Sequence, residues 1–105
     1  MPLLKGLSMY VGIYKITLRL PSNQNLKGKR RIIQSLIQNL RGHFNAAVAE
    51  VEHHDLWQLA TIGITTVSND ANYLQQLQSK LMAKIESMQG EFEITNVQQE
   101  ILSGV

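Results

Sequence analysis

Between Met9 and Leu20 the chain alternates, with Tyr14, Ile16, Leu18 and Leu20 on one side of an extended segment and Ile13, Lys15, Thr17 and Arg19 on the other. That period of two predicts a strand with one packed and one wet face. Pro21 has no amide proton for a ladder, and Ser22, Asn23 and Asn25 after it predict a turn. From Leu26 to Arg41 the period changes. Leu26, Ile33, Leu36, Ile37 and Leu40 recur every three or four positions and form one stripe of a helix. Gly42 is placed to cap its end. Gly28, in the first turn, is about 1 kcal/mol less favourable than alanine there, so that end should fray or be approached closely by another segment.

Phe44 to His53 and Trp57 to Val67 predict two more strands, joined in a hairpin by His54-Asp55-Leu56. In the second, Ala60, Ile62 and Ile64 alternate with Leu59, Thr61, Gly63 and Thr65. In the first, Ala46, Val48, Ala49 and Val51 do not hold one phase, which points to a bulge. Ser68, Asn69 and Asp70 supply capping oxygens for a second helix, Asp70 to Gln89, whose stripe is Leu74, Leu77, Leu81, Ile85 and Met88 and which Gly90 should stop. Glu91 to Leu102 predicts a last strand, or a strand and a bent tail, with Phe92, Ile94, Val97, Ile101 and Leu102 arranged around a break at Asn96. The order βαββαβ predicts an α+β fold of ferredoxin-like type: a four-stranded antiparallel sheet with two helices on one face and the other face open. At 105 residues the chain holds one such domain, residues 9–105, behind an eight-residue extension.

Composition narrows the classes. There is no cysteine, so disulfide scaffolds and thiolate metal centres are excluded. No run of 18 apolar residues exists to cross a membrane as a helix, and Met1 to Ser8 lacks the apolar core of a secretory signal, so a cytoplasmic protein is expected. The net charge of +2 hides a division. Residues 1–49 carry Lys5, Lys15, Arg19, Lys27, Lys29, Arg30, Arg31 and Arg41 with no acid, whereas residues 50–105 hold all eight acids against Lys80 and Lys84.

The first helix concentrates the cations. Lys27, Arg30, Arg31 and Arg41 lie on its flank away from Ile33 and Leu40, while Lys29 falls beside the apolar stripe and has to snorkel. Cations at a helix N-terminus oppose the macrodipole at roughly 0.3–1 kcal/mol each, a cost that an anionic partner removes. RNA phosphate is the expected partner, with Lys15 and Arg19 on the open sheet face extending the patch. The competing reading is a solvated helix face, partly paired with acids from the second half.

Other chemistry is weaker. Between Gln58 and Val67 no aromatic is available to stack bases on the sheet, and Pro21 to Asn25 contains no glycine to cradle a phosphate. Glu52, His53, His54 and Asp55 could be imagined as metal ligands or as acid and base, but no third ligand at a recognisable spacing and no nucleophile motif accompany them. A polar turn is the better reading, and neither an enzyme, a metal nor a cofactor is expected. Trp57 is the only tryptophan. It reads either as a hairpin anchor packed on the sheet edge or, with Leu59, as an apolar contact on the open sheet face that a second copy of the chain covers in a homodimer.

Three stretches, Asn25-Leu26-Lys27-Gly28-Lys29-Arg30-Arg31, Phe44-Asn45 to Val51, and His54-Asp55-Leu56-Trp57-Gln58 running to Val67-Ser68-Asn69-Asp70, together resemble the YlxP-like family of small bacterial proteins. That family usually reads Ser-Leu-Lys where this chain has Asn25, though both residues cap a helix. The resemblance implies a ferredoxin-like fold. Members are commonly encoded beside transcription-termination and translation-initiation factors and ribosome-binding factor A, which implies an RNA- or ribosome-associated role with no catalytic residues to carry over. Two functions therefore stand as expectations: a non-enzymatic accessory protein that docks its basic first helix on RNA or the ribosome, and a homo-oligomeric or small-ligand module working through the open sheet face.

Overall fold

The computed structural model describes residues 8–88 and 92–105. The stop expected at Gly90 and nearly all of the N-terminal extension lie outside them. The elements are β1 (Tyr10–Arg19), α1 (Leu26–His43), β2 (Ala47–Glu52), β3 (Leu59–Ser68), α2 (Ala71–Ser87) and β4 (Glu93–Ser103). The strands form one antiparallel sheet in the order β2-β3-β1-β4. Each βαβ unit is split: β3 sits between β1 and β2, and β1 between β3 and β4. This is the ferredoxin-like α+β arrangement.

Alternation on the central strand builds the core. Tyr14, Ile16, Leu18 and Leu20 are fully buried beneath the helices, together with Ala60, Ile62 and Ile64 of β3. From the other layer come Ile32, Ile33, Leu36 and Leu40 of α1 and Leu74, Leu77, Leu81 and Ile85 of α2. Each buried Leu or Ile contributes about 1.5–3 kcal/mol of transfer free energy. The Tyr14 hydroxyl, buried with its ring, donates a 2.6 Å hydrogen bond to the Leu74 carbonyl and so ties β1 to α2. Tyr14 folds back over Gly12, where a Cβ would collide with the phenol oxygen.

Several boundaries differ from the sequence reading. The α1 helix runs through Gly42 to His43, and the backbone amide of Phe44 closes it on the Leu40 carbonyl, so Gly42 is an ordinary helical residue rather than a cap. At the other end Asn25 caps as expected, its side chain accepting the Gly28 amide at 2.7 Å. Gly28 is the closely approached position: a Cβ there would meet the side-chain oxygen of Asn23. Asp70 caps α2 by accepting the Asn72 amide at 2.9 Å.

β2 is shorter than the predicted Phe44 to His53, and β3 begins at Leu59 rather than Trp57. A bulge is present in β2 as expected, but beyond the Val48–Ala49 phase break that suggests it. Glu50 faces Ile62 and Glu52 faces Thr61, with Val51 as the extra residue. This inserted residue turns Glu52 to the open side of the sheet while Glu50 stays on the helix side. The last strand is continuous, and its break is a register shift opposite Thr17 and Leu18 that leaves Thr95 unpaired.

Candidate nucleic-acid interface

The cations separate between the two layers. In the helices stand Lys27, Lys29, Arg30, Arg31, Arg41, Lys80 and Lys84 against the single acid Glu86, whereas the strands carry Lys15 and Arg19 against Glu50, Glu52, Glu93 and Glu100. The helix layer is therefore at +6 and the sheet at −2. The asymmetry between sequence halves becomes an asymmetry between faces.

On the sheet the cations are neutralised locally. Lys15 meets Glu52 at 2.8 Å and Arg19 meets Glu93 at 2.9 Å, both on the open face. These exposed pairs contribute little stability. They do, however, remove the expected extension of the basic patch: Lys15 and Arg19 lie on the layer opposite α1 and face carboxylates.

Lys29 is also lost from the outer surface, because its side chain is only 1% exposed. The ammonium donates to the carbonyls of His53 and Leu56, the latter at 2.7 Å, with His54 slightly farther, and lies 2.9 Å from a Glu50 carboxylate oxygen. His53 adopts a left-handed backbone conformation, φ 66°, costing about 1–2 kcal/mol for a residue with a Cβ, at the start of the loop whose His53, His54 and Leu56 carbonyls face Lys29. The expected snorkelling is replaced by a buried clamp between α1 and the β2–β3 loop.

What remains outward on α1 is Lys27, Arg30 and Arg31 at its start, followed by exposed Gln34, Ser35, Gln38 and Asn39. Among the described residues no carboxylate pairs with those three cations. The helix has no acid in its first turn to complement the dipole. Arg41 is held differently: its guanidinium donates a 2.7 Å hydrogen bond to the Val48 carbonyl of edge strand β2. Beyond it a polar groove of about 340 Å³ is lined by Gln38, Asn39, Gly42 and His43 of α1 and by Lys84 of α2.

Residues 11–99 match a family model described as protein of unknown function (DUF503). The chain belongs to the DUF503 family. The matched span of this DUF503 chain contains both helices, all of β2 and β3, the Lys29 clamp and the loop that carries Trp57. Comparison with curated proteins finds no match.

The remaining sequence candidates are dispersed. His53 Nδ1 is 2.8 Å from the Thr61 hydroxyl, and His54 Nε2 faces the Glu50 carbonyl at 3.2 Å, so the two rings serve separate partners. Among the described residues no three His, Asp or Glu side chains converge. Trp57 is not the packed anchor expected, being 51% exposed. Nor does it lie on the open sheet face with Leu59: it borders a depression formed with Gln24, Asn25, Leu26 and Asp55, beside the start of α1. The apolar part of the open face lies elsewhere, around a concavity of about 640 Å³ lined by Ile13, Ala47, Ala49, Val51, Gly63 and Thr65. No described helix is long and apolar enough to cross a membrane.

Proposed function

We propose that this DUF503 protein is a non-enzymatic RNA-binding accessory factor that holds phosphates on the outer face of α1, with Lys27, Arg30 and Arg31 as the contacting residues. The observation that carries this reading is a trio of cations that no carboxylate among the described residues compensates. The fold supplies carboxylates to Lys15, Arg19 and Lys29 and leaves three adjacent cations facing solvent at a helix end where their charge is unfavourable. Phosphates relieve that repulsion, and the neutral polar run Gln34 to Asn39 offers further donors along the same face. The YlxP-like resemblance, with its implied setting among translation and transcription factors, supports RNA, and the ribosome that contains it, as the polyanion.

Binding of a structured RNA or of ribosomal subunits, titrated across salt, tests the reading. With about three phosphates neutralised, log affinity falls against log salt with a slope of roughly −2 to −3. The double variant Arg30→Glu/Arg31→Glu loses binding while keeping its circular dichroism spectrum. Unchanged affinity in that variant overturns the assignment.

One observation favours a second reading, self-association through the open sheet face. Val11 pairs across strands with both Val67 and Leu102, and Ile13 and Val51 continue this apolar half of a face whose polar half is already internally ion-paired. A second copy is the occupant with the same balance of apolar and neutralised surface. Sedimentation of the wild type beside Ile13→Glu/Val67→Glu decides: a dimer that the variant dissolves supports it, and a monomeric wild type at high concentration overturns it.

A further inference from the structure

Trp57 is exposed, yet the backbone around it is fixed. The Asn23 side-chain amide donates to the Trp57 carbonyl at 2.6 Å. On one side the Leu56 carbonyl is held by the buried Lys29 ammonium. On the other, the Gln58 side chain donates to the carbonyls of Pro21 and Asn23, and the Gln58 carbonyl accepts the Leu20 amide at 2.9 Å. The loop is thus pinned before, at and after the tryptophan, while half of the largest apolar side chain in the protein is left in water. Packing does not account for that arrangement, since a buried indole adds stability in proportion to the area it hides.

The indole borders a depression of about 330 Å³, roomy enough for one flat heteroaromatic ring, lined by apolar Leu26 and by polar Gln24, Asn25 and Asp55. Lys27 follows Leu26 directly, and Arg30 stands one helical turn further along the same face as Leu26. The charges dictate which part of a nucleotide goes where. The Asp55 carboxylate repels phosphate from the depression, and the cation ridge attracts it immediately beyond.

We infer that Trp57 is a stacking platform for an unpaired RNA base, whose flanking phosphates lie on Lys27, Arg30 and Arg31. This rests on the phosphate-binding reading and adds the class of RNA: a single strand, loop or bulge, because a base inside a duplex has no free face to offer. It places stacking at the end of the sheet, where the aromatic-poor strands are not involved.

Trp57 is the only tryptophan, so tryptophan emission, excited selectively at the red edge of the absorption band, reports this site alone. The probes are an end-labelled oligoadenylate and an end-labelled blunt RNA duplex of equal length, titrated across a salt series into the wild type, Trp57→Ala, Trp57→Phe and Arg30→Glu/Arg31→Glu. Affinity is read from the anisotropy of the label, and tryptophan emission is read in the two proteins that keep Trp57. The oligoadenylate is expected to quench the emission. Trp57→Ala binds it on the order of ten-fold more weakly with the salt slope unchanged, and Trp57→Phe retains most of the affinity. Duplex affinity is the same in wild type and Trp57→Ala, and the charge-reversed variant loses both probes. Oligoadenylate affinity that Trp57→Ala leaves intact, or binding without quenching, overturns the platform while the basic ridge stands. Failure of the wild type to bind either probe overturns both.

Discussion

The Lys29 ammonium and a Glu50 carboxylate oxygen lie 2.9 Å apart inside the fold, the lysine 1% and the glutamate 17% exposed. Their pairing is one part of a four-way junction that also gathers the carbonyls of His53, His54 and Leu56. Removing one partner strands the other in a poorly solvated place. Lys29→Ala is therefore expected to lower stability by about 3–5 kcal/mol, and Lys29→Met/Glu50→Leu to recover much of the loss. Urea unfolding of the single and double variants measures the difference. A Lys29→Ala protein as stable as wild type would show that the junction is not needed to hold the loop.

The Tyr14 phenol contributes to the alkaline decline of stability. Burial, aided by the phenol of Tyr73, raises its pKa above the ordinary 10.0. The folded chain thus keeps a proton that the unfolded chain surrenders. The resulting stability is complete below the unfolded value and is lost as pH rises through the native one. Tyr14→Phe should flatten this alkaline decline and cost about 1 kcal/mol at neutral pH for the missing bond to Leu74. Chemical denaturation from neutral to alkaline pH tests both parts. Gly12→Ala is expected to destabilise as well, by crowding the same phenol.

At the acid end the sign reverses. The hydrogen bond from Lys15, reinforced by its charge, holds the Glu52 carboxyl below its ordinary 4.5. A lowered native value stabilises the fold above the unfolded pKa, and that contribution disappears as pH falls through the native one. Lys15→Ala should reduce the steepness of acid unfolding, and added salt should mimic it, because the pair is exposed and screened. Equal acid profiles for variant and wild type, followed by fluorescence or circular dichroism, would reject the linkage.

Much of this fold is legible in the sequence because its core is periodic. Tyr14, Ile16, Leu18 and Leu20 hold a period of two, and Leu74, Leu77, Leu81 and Ile85 hold a helical one, so strand, helix and buried face follow from spacing. The β2 bulge is expected, but the loss of phase that suggests it, between Val48 and Ala49, falls in a regularly paired stretch, and the inserted residue is Val51. The candidate site is legible only in part. Lys27, Arg30 and Arg31 are visible as a charge run, but Lys29 in the same run is captured by backbone carbonyls more than twenty residues away, which have no sequence signature. Trp57 misleads for a related reason: its size argues for burial, whereas it is half-exposed on a loop whose main chain is held by the side-chain amides of Asn23 and Gln58. Lys15 and Arg19 add to the positive sum along the chain, while the carboxylates that neutralise them arrive from other strands.

The same three cations that serve the proposed interface should weaken the fold. No acid occupies the first turn of α1, and Lys27, Arg30 and Arg31 repel one another as well as the positive end of the helix dipole. Arg30→Glu, or Asn25→Asp at the cap, reverses or offsets that repulsion without disturbing a buried group. Each should raise stability by about 0.3–1 kcal/mol at low ionic strength, and the gain should shrink as salt screens it. RNA affinity is expected to move the opposite way in the same variants. Thermal unfolding at low and high salt, paired with the binding titration, tests the trade directly. A charge reversal that destabilises the protein would mean that Arg30 already has a stabilising partner in solution, and the surface assigned to phosphate would then be occupied by the fold itself.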